Sequence, residues 1–323
     1  MDITTPCILI VGPTAGGKTS LSLELAQRLP GGGECVCADS MQVYRGMDIG
    51  TAKPTPSERA IAPHHLLDLV EPNEPFTVDH WLPMAERTIE DIRSRGRFPI
   101  LVGGTNLYIK AFMSGMMDGP APDETLRESL EALDSKTLRE RLLRADPIAA
   151  DRIHANDRRR TIRALEVHHL TGVPISESQA QWDQPDVRED TLLVGLNYPA
   201  DVINPRINAR VRMMMDDGLL KEVANLHAKE KLGPQAIEAL GYRQLVDHLE
   251  GKLELEEAIE QIKIRTRRFA KNQRTWLKRF QAHIEGCWIE CPDGDTQSVV
   301  DKALKAVESH PLLTPFQGPK TDP

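Results

Sequence analysis

The chain has 323 residues, of which 40% are hydrophobic and 27% charged, and its formal net charge at pH 7 is -8. This length allows one large or two modest domains with a full core, and the acidic balance excludes a generally basic nucleic-acid-binding protein, so any such site must be a local basic patch. The five cysteines lack the spacing of a zinc site, which favours reduced thiols in a cytoplasmic protein. We recognise no signal peptide and no apolar segment long enough to span a membrane. The cysteines are Cys7, Cys35, Cys37, Cys287 and Cys291.

The first predicted element is a short buried strand over residues 7–11, followed by GPTAGGKT and then by a helix over residues 20–29. The octapeptide fits G-x-x-x-x-G-K-[ST], a loop whose backbone N–H groups and following helix dipole hold a polyphosphate. Its glycines permit backbone angles and close approaches that a Cβ would block. Lys18 would reach phosphate oxygens, and Thr19 would offer its hydroxyl to Mg²⁺. The candidate anion-binding residues are Gly12, Pro13, Thr14, Ala15, Gly16, Gly17, Lys18 and Thr19.

Two further predicted strands end in polar residues. A strand over residues 34–38 is followed by Asp39, and a strand over residues 98–102 leads through two glycines to Thr105. Ligands of open parallel sheets bind at the carboxyl ends of strands, so we expect Asp39 to face the same crevice as the phosphate loop. Thr105 stands where a simple helix N-cap is the alternative interpretation.

The character of the sequence changes after residue 117, where a Gly- and Pro-rich linker precedes charged helical segments. Strand character returns over residues 191–196. We therefore predict an α/β fold with a P-loop NTPase-like parallel sheet core flanked by helices and an inserted all-helical subdomain. The predicted bounds are residues 1–117 and 191–300 for the core, 118–190 for the insertion and 310–323 for a Pro-rich disordered tail.

Two helical segments carry local positive charge. Arg160 and Arg163 share one face within the insertion. A helix over residues 254–280 pairs a basic stripe with an apolar stripe that includes Phe269, and we expect the apolar stripe to be core. Each basic face indicates either contact with an RNA backbone or a solvated surface. The basic stripe consists of Lys263, Arg267, Lys271, Arg274 and Lys278.

These features leave two kinds of chemistry open. A nucleoside-triphosphate enzyme usually carries a magnesium-binding carboxylate at a neighbouring strand end, but the strand over residues 98–102 ends in Gly-Gly-Thr. Asp39 instead lies where a base could activate an incoming acceptor while the loop held a leaving diphosphate. Spacing alone does not separate triphosphate use from group transfer.

The chain resembles the tRNA dimethylallyltransferases, also called tRNA isopentenyltransferases. The matching blocks are spread over nearly all of the chain up to its C-terminal tail, and the block at residues 38–54 is long and specific. The blocks are GPTAGGKT, ADSMQVYRGMDIGTAKP, PHHLLD, GGTNLY, RTIRALEV, ALGYRQ and TRRFAKNQRTW.

The resemblance implies transfer of a dimethylallyl group from dimethylallyl diphosphate to the N6 amine of the adenine 3′ to the anticodon, position 37. The expected substrates are tRNAs that read codons beginning with U, and the protein is expected to contact their anticodon stem-loop. The expected cofactor is Mg²⁺. We expect a monomer and no membrane partner. Two alternatives remain, an adenylate isopentenyltransferase of the cytokinin type and a P-loop NTP-dependent RNA-binding protein.

The resemblance also assigns roles to residues. Asp39 would be the general base, Thr105 would touch the reacting groups, and Arg210 would clamp the diphosphate. The residues that would contact tRNA are Asp39, Ser40, Met41, Gln42, Thr105, Arg127, Arg159, Arg160, Thr161, Ile162, Arg163, Leu240, Gly241, Tyr242 and Arg243. Three positions depart from the family pattern, with Gly16 for Ser, Asn208 for Asp and Asn272 for Arg.

Overall fold

The computed structural model describes residues 5–116, 119–182 and 188–316. The chain folds as two compact units, one formed by Met1–Lys110 with Arg188–Pro323 and the other by Ala111–Val187. The second unit starts and ends somewhat earlier than the insertion predicted at residues 118–190. In the described part of the chain, no helix combines the length and the apolar character needed to cross a bilayer.

A parallel six-stranded sheet organises the first unit, in the order β3-β2-β4-β1-β5-β6. The residues of the central strand β1 are all 0% exposed, as expected for a strand covered on both faces. The predicted α/β class is therefore confirmed. The strand β3 was not predicted, because two residues carry no recognisable pattern. The strands are β1 Cys7–Val11, β2 Gly33–Ala38, β3 His64–His65, β4 Phe98–Gly103, β5 Thr191–Asn197 and β6 Cys287–Glu290.

Helices flank the sheet and make up the second unit. In α3, Trp81, Ala85, Ile89 and Ile92 are buried at the predicted helical spacing. The helices are α1 Lys18–Arg28, α2 Pro56–Ile61, α3 Val78–Ser94, α4 Asn106–Ser114, α5 Glu124–Glu131, α6 Ser135–Ala145, α7 Pro147–Arg152, α8 Arg158–Thr171, α9 Ile175–Trp182, α10 Ala200–Asp216, α11 Leu219–Ala228, α12 Tyr242–Leu249, α13 Leu255–His283 and α14 Thr296–Glu308.

The second unit is helical, as its charged and leucine-rich sequence predicted. Four of its helices begin at aspartates whose side chains accept backbone N–H groups of the first turn, which satisfies donors that a helix start leaves unpaired. Its core is formed mainly by aliphatic side chains from α5, α6 and α8. The four capping residues are Asp123, Asp134, Asp146 and Asp157.

The C-terminal segment corrects one prediction. Pro311–Phe316 form a 3-10 helix, Leu313 is buried in the core of the first unit, and the rings of Phe98 and Phe316 lie 5.3 Å apart edge to face. The disorder predicted from residue 310 therefore does not begin there, because these apolar residues pack on the sheet unit. The rest of the predicted tail, residues 317–323, lies outside the described residues.

Candidate active site

A cavity of about 1380 Å³ opens at the carboxyl edge of the sheet in the first unit. Its lining includes the phosphate loop after β1, Asp39 after β2, Gly103 and Gly104 at the end of β4, and Arg210 from α10. Because β1, β2 and β4 are parallel neighbours, their carboxyl ends meet at one edge. The predicted juxtaposition of the phosphate loop with Asp39 is therefore present.

The phosphate loop contains residues with positive φ angles, a conformation that glycine adopts without strain. Gly17 has φ +81° and Ala15 has φ +62°, and α1 begins directly after Gly17, so the first backbone N–H groups of the helix end at the loop. A Cβ at position 16 would lie 2.9 Å from the carbonyl oxygen of Pro13. The glycine that replaces the family's serine thus suits the tight turn of this loop.

Lys18 lies over the phosphate loop. Its Nζ donates to the carbonyl oxygens of Gly12 and Pro13, each at 3.0 Å. Burial and, to a smaller extent, the charge of Arg210 lower the pKa of Lys18 to about 8, and the charge of Asp39 opposes the shift. A bound anion would relieve both unfavourable effects, so the site is electrostatically suited to a diphosphate.

Asp39 is half-buried at the end of β2 and accepts the backbone N–H of Met41 at 2.9 Å. Burial raises its pKa, and the Met41 N–H and the charges of Lys18 and Arg210 oppose that shift. A carboxylate with a raised pKa is a better proton acceptor than one in water. Asp39 thus presents a carboxylate with a raised pKa to the cavity.

Thr105 connects two strand ends. Its Oγ1 accepts the backbone N–H of Ser40 at 3.0 Å and donates to the Ser40 hydroxyl at 3.3 Å, while its own N–H donates to the Ala38 carbonyl at 3.3 Å. The hydroxyl is thus bonded to the residue after Asp39, while the carbonyl oxygen of Thr105 accepts the Ile109 N–H at 3.1 Å at the start of α4. Thr105 fixes the segment that carries the base.

Two arginines of α10 have different surroundings. Arg206 donates to the carbonyl oxygens of Ala15 at 3.0 Å and Gly294 at 2.8 Å, and so supports the phosphate loop from outside. Arg210 lines the cavity and forms no hydrogen bond or ion pair with any residue in the described ranges. Burial lowers the pKa of Arg210. A half-buried guanidinium without a partner among the described residues is costly unless a ligand supplies its counter-charge.

The segment after β2 is held by Gln42, a predicted tRNA contact, and by Lys53 and Asp68, to which the sequence assigned no role. The Nε2 of Gln42 donates to the carbonyl oxygens of Thr51 at 3.0 Å and Ala52 at 3.2 Å. Lys53 is buried and pairs with Asp68 at 2.6 Å. Lys53 and Asp68 both lie within the sequence blocks shared with the family. Those blocks therefore included the supporting residues, but the sequence did not distinguish them from the reactive ones.

Glu222 of α11 anchors the same segment. Its carboxylate accepts the backbone N–H groups of Asp48 and Ile49 at 2.8 Å, that of Gly50 at 3.1 Å, and the hydroxyl of Tyr242 at 2.6 Å. Tyr242 is fully buried. The side chain of Tyr242 is therefore used inside the fold, and its expected contact with tRNA stays a prediction.

The neighbours of Tyr242 are also engaged within the protein. Gly241 has φ +99° and precedes α12, and it is buried, while Leu240 is half-buried. Arg243 pairs with Glu238 and keeps 40% of its side chain exposed. Of the four residues predicted here, Arg243 is the one with an exposed charge.

In the helical unit, two predicted RNA-binding arginines are paired with a buried carboxylate. The Nε of Arg127 lies 2.8 Å from Glu166 Oε1, and the NH1 of Arg163 lies 2.6 Å from Glu166 Oε2. Burial opposes ionisation of Glu166, but the hydrogen bonds from both arginines outweigh it and lower its pKa. The cluster stabilises α5 against α8.

The remaining predicted residues of α8 divide by exposure. Thr161 and Ile162 are buried, so their side chains pack inside the helical unit, and the tRNA contact expected of these two residues stays a prediction. Arg159 is exposed. The side chain of Arg160 is 76% exposed, with an ion pair to Asp157 at 3.2 Å. Arg159 and Arg160 are thus the accessible charges of this stretch.

The long helix α13 departs from its predicted faces. Arg267 donates to Asn208 at 2.7 Å, and Arg274 donates to the Tyr198 carbonyl at 3.3 Å, so these two members of the basic stripe support the fold. Phe269, predicted as core, is 39% exposed. The exposed cations of this stretch are Arg265, Arg268, Lys271, Lys278 and Arg279.

The residues present fit a magnesium ion held mainly by its ligand. Within the described ranges, no group of three or more His, Cys, Asp or Glu side chains could hold a metal, but the half-buried Thr19 lines the cavity beside Lys18. Mg²⁺ commonly takes one or two protein oxygens and completes its shell with phosphate oxygens and water.

All five cysteines are free thiols.

The fold and cavity define a phosphate-loop α/β protein with a basic anion site and a facing carboxylate. The model of the family "IPP transferase" matches residues 42–280, and that of "Isopentenyl transferase" matches residues 6–63. The chain belongs to the IPP transferase family.

Curated relatives and solved structures agree with this membership. The chain is 45% identical to a tRNA dimethylallyltransferase of Geobacillus thermodenitrificans over 92% of this chain and 94% of that protein. It is 49% identical to a tRNA dimethylallyltransferase of Shouchella clausii over 91% of this chain and 94% of that protein. A tRNA isopentenylpyrophosphate transferase of Bacillus halodurans aligns with TM-score 0.66 and 39% identity, covering 94% of this chain and 99% of that one. A eukaryotic dimethylallyltransferase acting on tRNA aligns with TM-score 0.79 and 28% identity, covering 99% of this chain and 81% of that one.

Proposed function

We propose that this protein is a tRNA prenyltransferase that moves a dimethylallyl group from dimethylallyl diphosphate to the N6 amine of adenine 37 in tRNAs reading codons that begin with U. The observation that carries the proposal is the cavity of the first unit, where an anion-binding loop and Arg210 share one lining with the carboxylate of Asp39. Family membership supplies the class of donor and acceptor.

The diphosphate binds to the phosphate loop, and its charge is met by Lys18 and Arg210. In the transfer step the amine nitrogen forms a bond to the allylic carbon, the carbon–oxygen bond to diphosphate breaks, and Asp39 takes the amine proton. Thr105 holds the segment carrying Asp39 through its bonds to Ser40. An aromatic amine is a weak nucleophile, so positioning and leaving-group stabilisation provide most of the acceleration.

Mg²⁺, held by the Thr19 hydroxyl and diphosphate oxygens, would supply additional charge neutralisation on the leaving group. The lack of a carboxylate cluster in the described part of the cavity supports this arrangement over a metal site built by the protein alone. With the ion carried largely by the ligand, a single hydroxyl is a sufficient protein contribution.

The target adenine must leave its stack to reach Asp39, and we assign contacts with this base to Ser40, Met41 and Gln42. We assign the RNA backbone contacts of the anticodon stem-loop to accessible cations. These are Arg159, Arg160 and Arg243, together with the exposed cations of α13. The protein acts as a monomer in the cytoplasm, a compartment that suits its free thiols.

The test is mass spectrometry of tRNA after incubation with the purified protein, dimethylallyl diphosphate and Mg²⁺. The expected product is an adenosine heavier by one dimethylallyl group at position 37, with release of diphosphate. Adenosine monophosphate as acceptor tests the cytokinin-type alternative. ATP consumption without any prenyl transfer would overturn the proposal in favour of an NTP-dependent RNA-binding protein.

A further inference from the structure

Gln273 of α13 makes two long-range hydrogen bonds at the floor of the active-site region. Its Oε1 accepts the backbone N–H of Thr14 at 2.8 Å, and its Nε2 donates to the carbonyl oxygen of Gly104 at 2.8 Å. The residue is 2% exposed. One amide thus connects the phosphate loop after β1 with the end of the neighbouring strand β4.

Both partners belong to the cavity lining. Thr14 is part of the loop that would hold the diphosphate, and Gly104 directly precedes Thr105, which is bonded to the residue after Asp39. The amide therefore fixes the distance between the anion-binding loop and the segment that supports the base. An apolar side chain of the same size would leave one backbone donor and one backbone acceptor without a partner.

The space at Gly104 is matched to this amide. A Cβ at position 104 would lie 2.4 Å from Gln273 Nε2 and 3.7 Å from Lys18 Nζ. Any side chain at this position would therefore displace the amide or the strand end. The same distances show that the Gln273 amide lies near the ammonium group that faces the diphosphate.

We propose that Gln273 is a positioning residue for prenyl transfer, which sets the phosphate loop against the Gly104–Thr105 segment so that diphosphate and acceptor are held at reacting distance. This inference rests on the proposed function and adds a residue to that same site. Gln273 touches neither reactant; it acts through the Thr14 N–H and the Gly104 carbonyl.

The experiment compares Gln273→Met and Gln273→Glu. The methionine fills the same space without hydrogen bonds. The glutamate can still accept from Thr14, but it cannot donate to Gly104 when ionised, and it adds a negative charge near the diphosphate. Because misplacement by about 1 Å can cost 100-fold in rate, we expect kcat/KM for dimethylallyl diphosphate to fall about tenfold in Gln273→Met and about 100-fold in Gln273→Glu.

A purely structural role would lower all activities of the folded protein together. We instead expect the dissociation constant for tRNA to stay within about twofold, while the KM for dimethylallyl diphosphate and the dissociation constant for inorganic diphosphate with Mg²⁺ rise in the order wild type, methionine, glutamate. The control is Gln261→Glu, the same chemical change on α13 at a residue whose side chain bonds to Glu257, with unchanged kinetic constants expected.

If neither Gln273 variant folds, Gly104→Ala tests the contact from its other side, and it should reproduce the selective loss of diphosphate affinity. Folded variants with wild-type kcat/KM and diphosphate affinity would overturn the proposal, as would equal losses of tRNA and diphosphate affinity. Failure of the wild-type protein to transfer a prenyl group would instead refute the proposed function, because diphosphate binding is measured without any transfer.

Discussion

The cavity of the first unit and the Arg127–Glu166–Arg163 cluster of the helical unit use similar residues in opposite ways. In the cluster, each arginine lies within hydrogen-bonding distance of the buried carboxylate. In the cavity, Arg210 pairs with no described residue, and Lys18 is bonded to backbone carbonyls without a carboxylate partner. Charges left uncompensated in the folded protein indicate a ligand site, whereas charges balanced internally indicate stabilisation.

Asp39 should show the largest effect if the uncompensated charges of the cavity mark a ligand site. We expect Asp39→Ala to lower kcat about 1000-fold, since a positioned general base contributes about 100- to 10,000-fold. The tRNA dissociation constant should stay within a few-fold, because the phosphate contacts remain. Single-turnover transfer assays with a filter-binding measurement would separate the two effects.

Asp216→Ala is the matched control for the Asp39 experiment, because it removes an exposed carboxylate from α10 and should leave turnover unchanged. Turnover of Asp39→Ala near the wild-type value would remove Asp39 from the mechanism.

Lys18 provides the next largest effect and a pH dependence. Its pKa of about 8 means that the free protein loses the Lys18 charge as pH rises through that value, so diphosphate binding should weaken by up to tenfold per pH unit above it. Bound diphosphate favours the charged form, so the pKa in the complex lies higher. Calorimetric titration of diphosphate between about pH 7 and pH 9.5 measures this slope.

Lys18→Met is the control for the pH experiment. This variant should bind diphosphate about 100-fold more weakly and should lack the part of the decline above pH 8 that comes from loss of the Lys18 charge. A wild-type profile that stayed flat through pH 9.5 would show that Lys18 is not the anion's counter-charge.

Local patterns predicted β1, β2, β4 and β5, the phosphate loop and the strand-end position of Asp39, because a short buried strand and the residue after it are defined by near neighbours. The supports of the site were not predictable in this way. Gln273 and Thr14 are 259 positions apart, and no spacing rule connects them. The pattern also misassigned Phe269, since helical periodicity gives the side of a helix but not what covers it.

Stability should respond most in the helical unit. Glu166→Ala leaves Arg127 and Arg163 without their carboxylate, and we expect it to lower the free energy of unfolding by about 3–5 kcal/mol. Arg127→Ala should cost less, because Arg163 continues to pair with Glu166. Urea unfolding followed by circular dichroism measures both changes, and equal stability of Glu166→Ala and wild type would contradict the assignment of this cluster to folding.

Arg160 should show the smallest effect and the opposite signature. Its side chain is 76% exposed, so Arg160→Ala should leave stability within about 0.5 kcal/mol. We expect it to weaken tRNA binding a few-fold and to reduce the salt dependence of the binding constant by about one phosphate contact. Titrations at several salt concentrations give this slope directly.

Arg144 provides the matched control for Arg160, since its side chain is 80% exposed on α6 of the same unit and its removal changes the net charge equally. If Arg144→Ala flattened the salt dependence as much as Arg160→Ala, the effect would be one of general charge and α8 would not be a specific contact. If Arg160→Ala changed diphosphate affinity alone, α8 would belong with the cavity charges. A slope lowered only by Arg160→Ala would indicate a phosphate contact at that side chain.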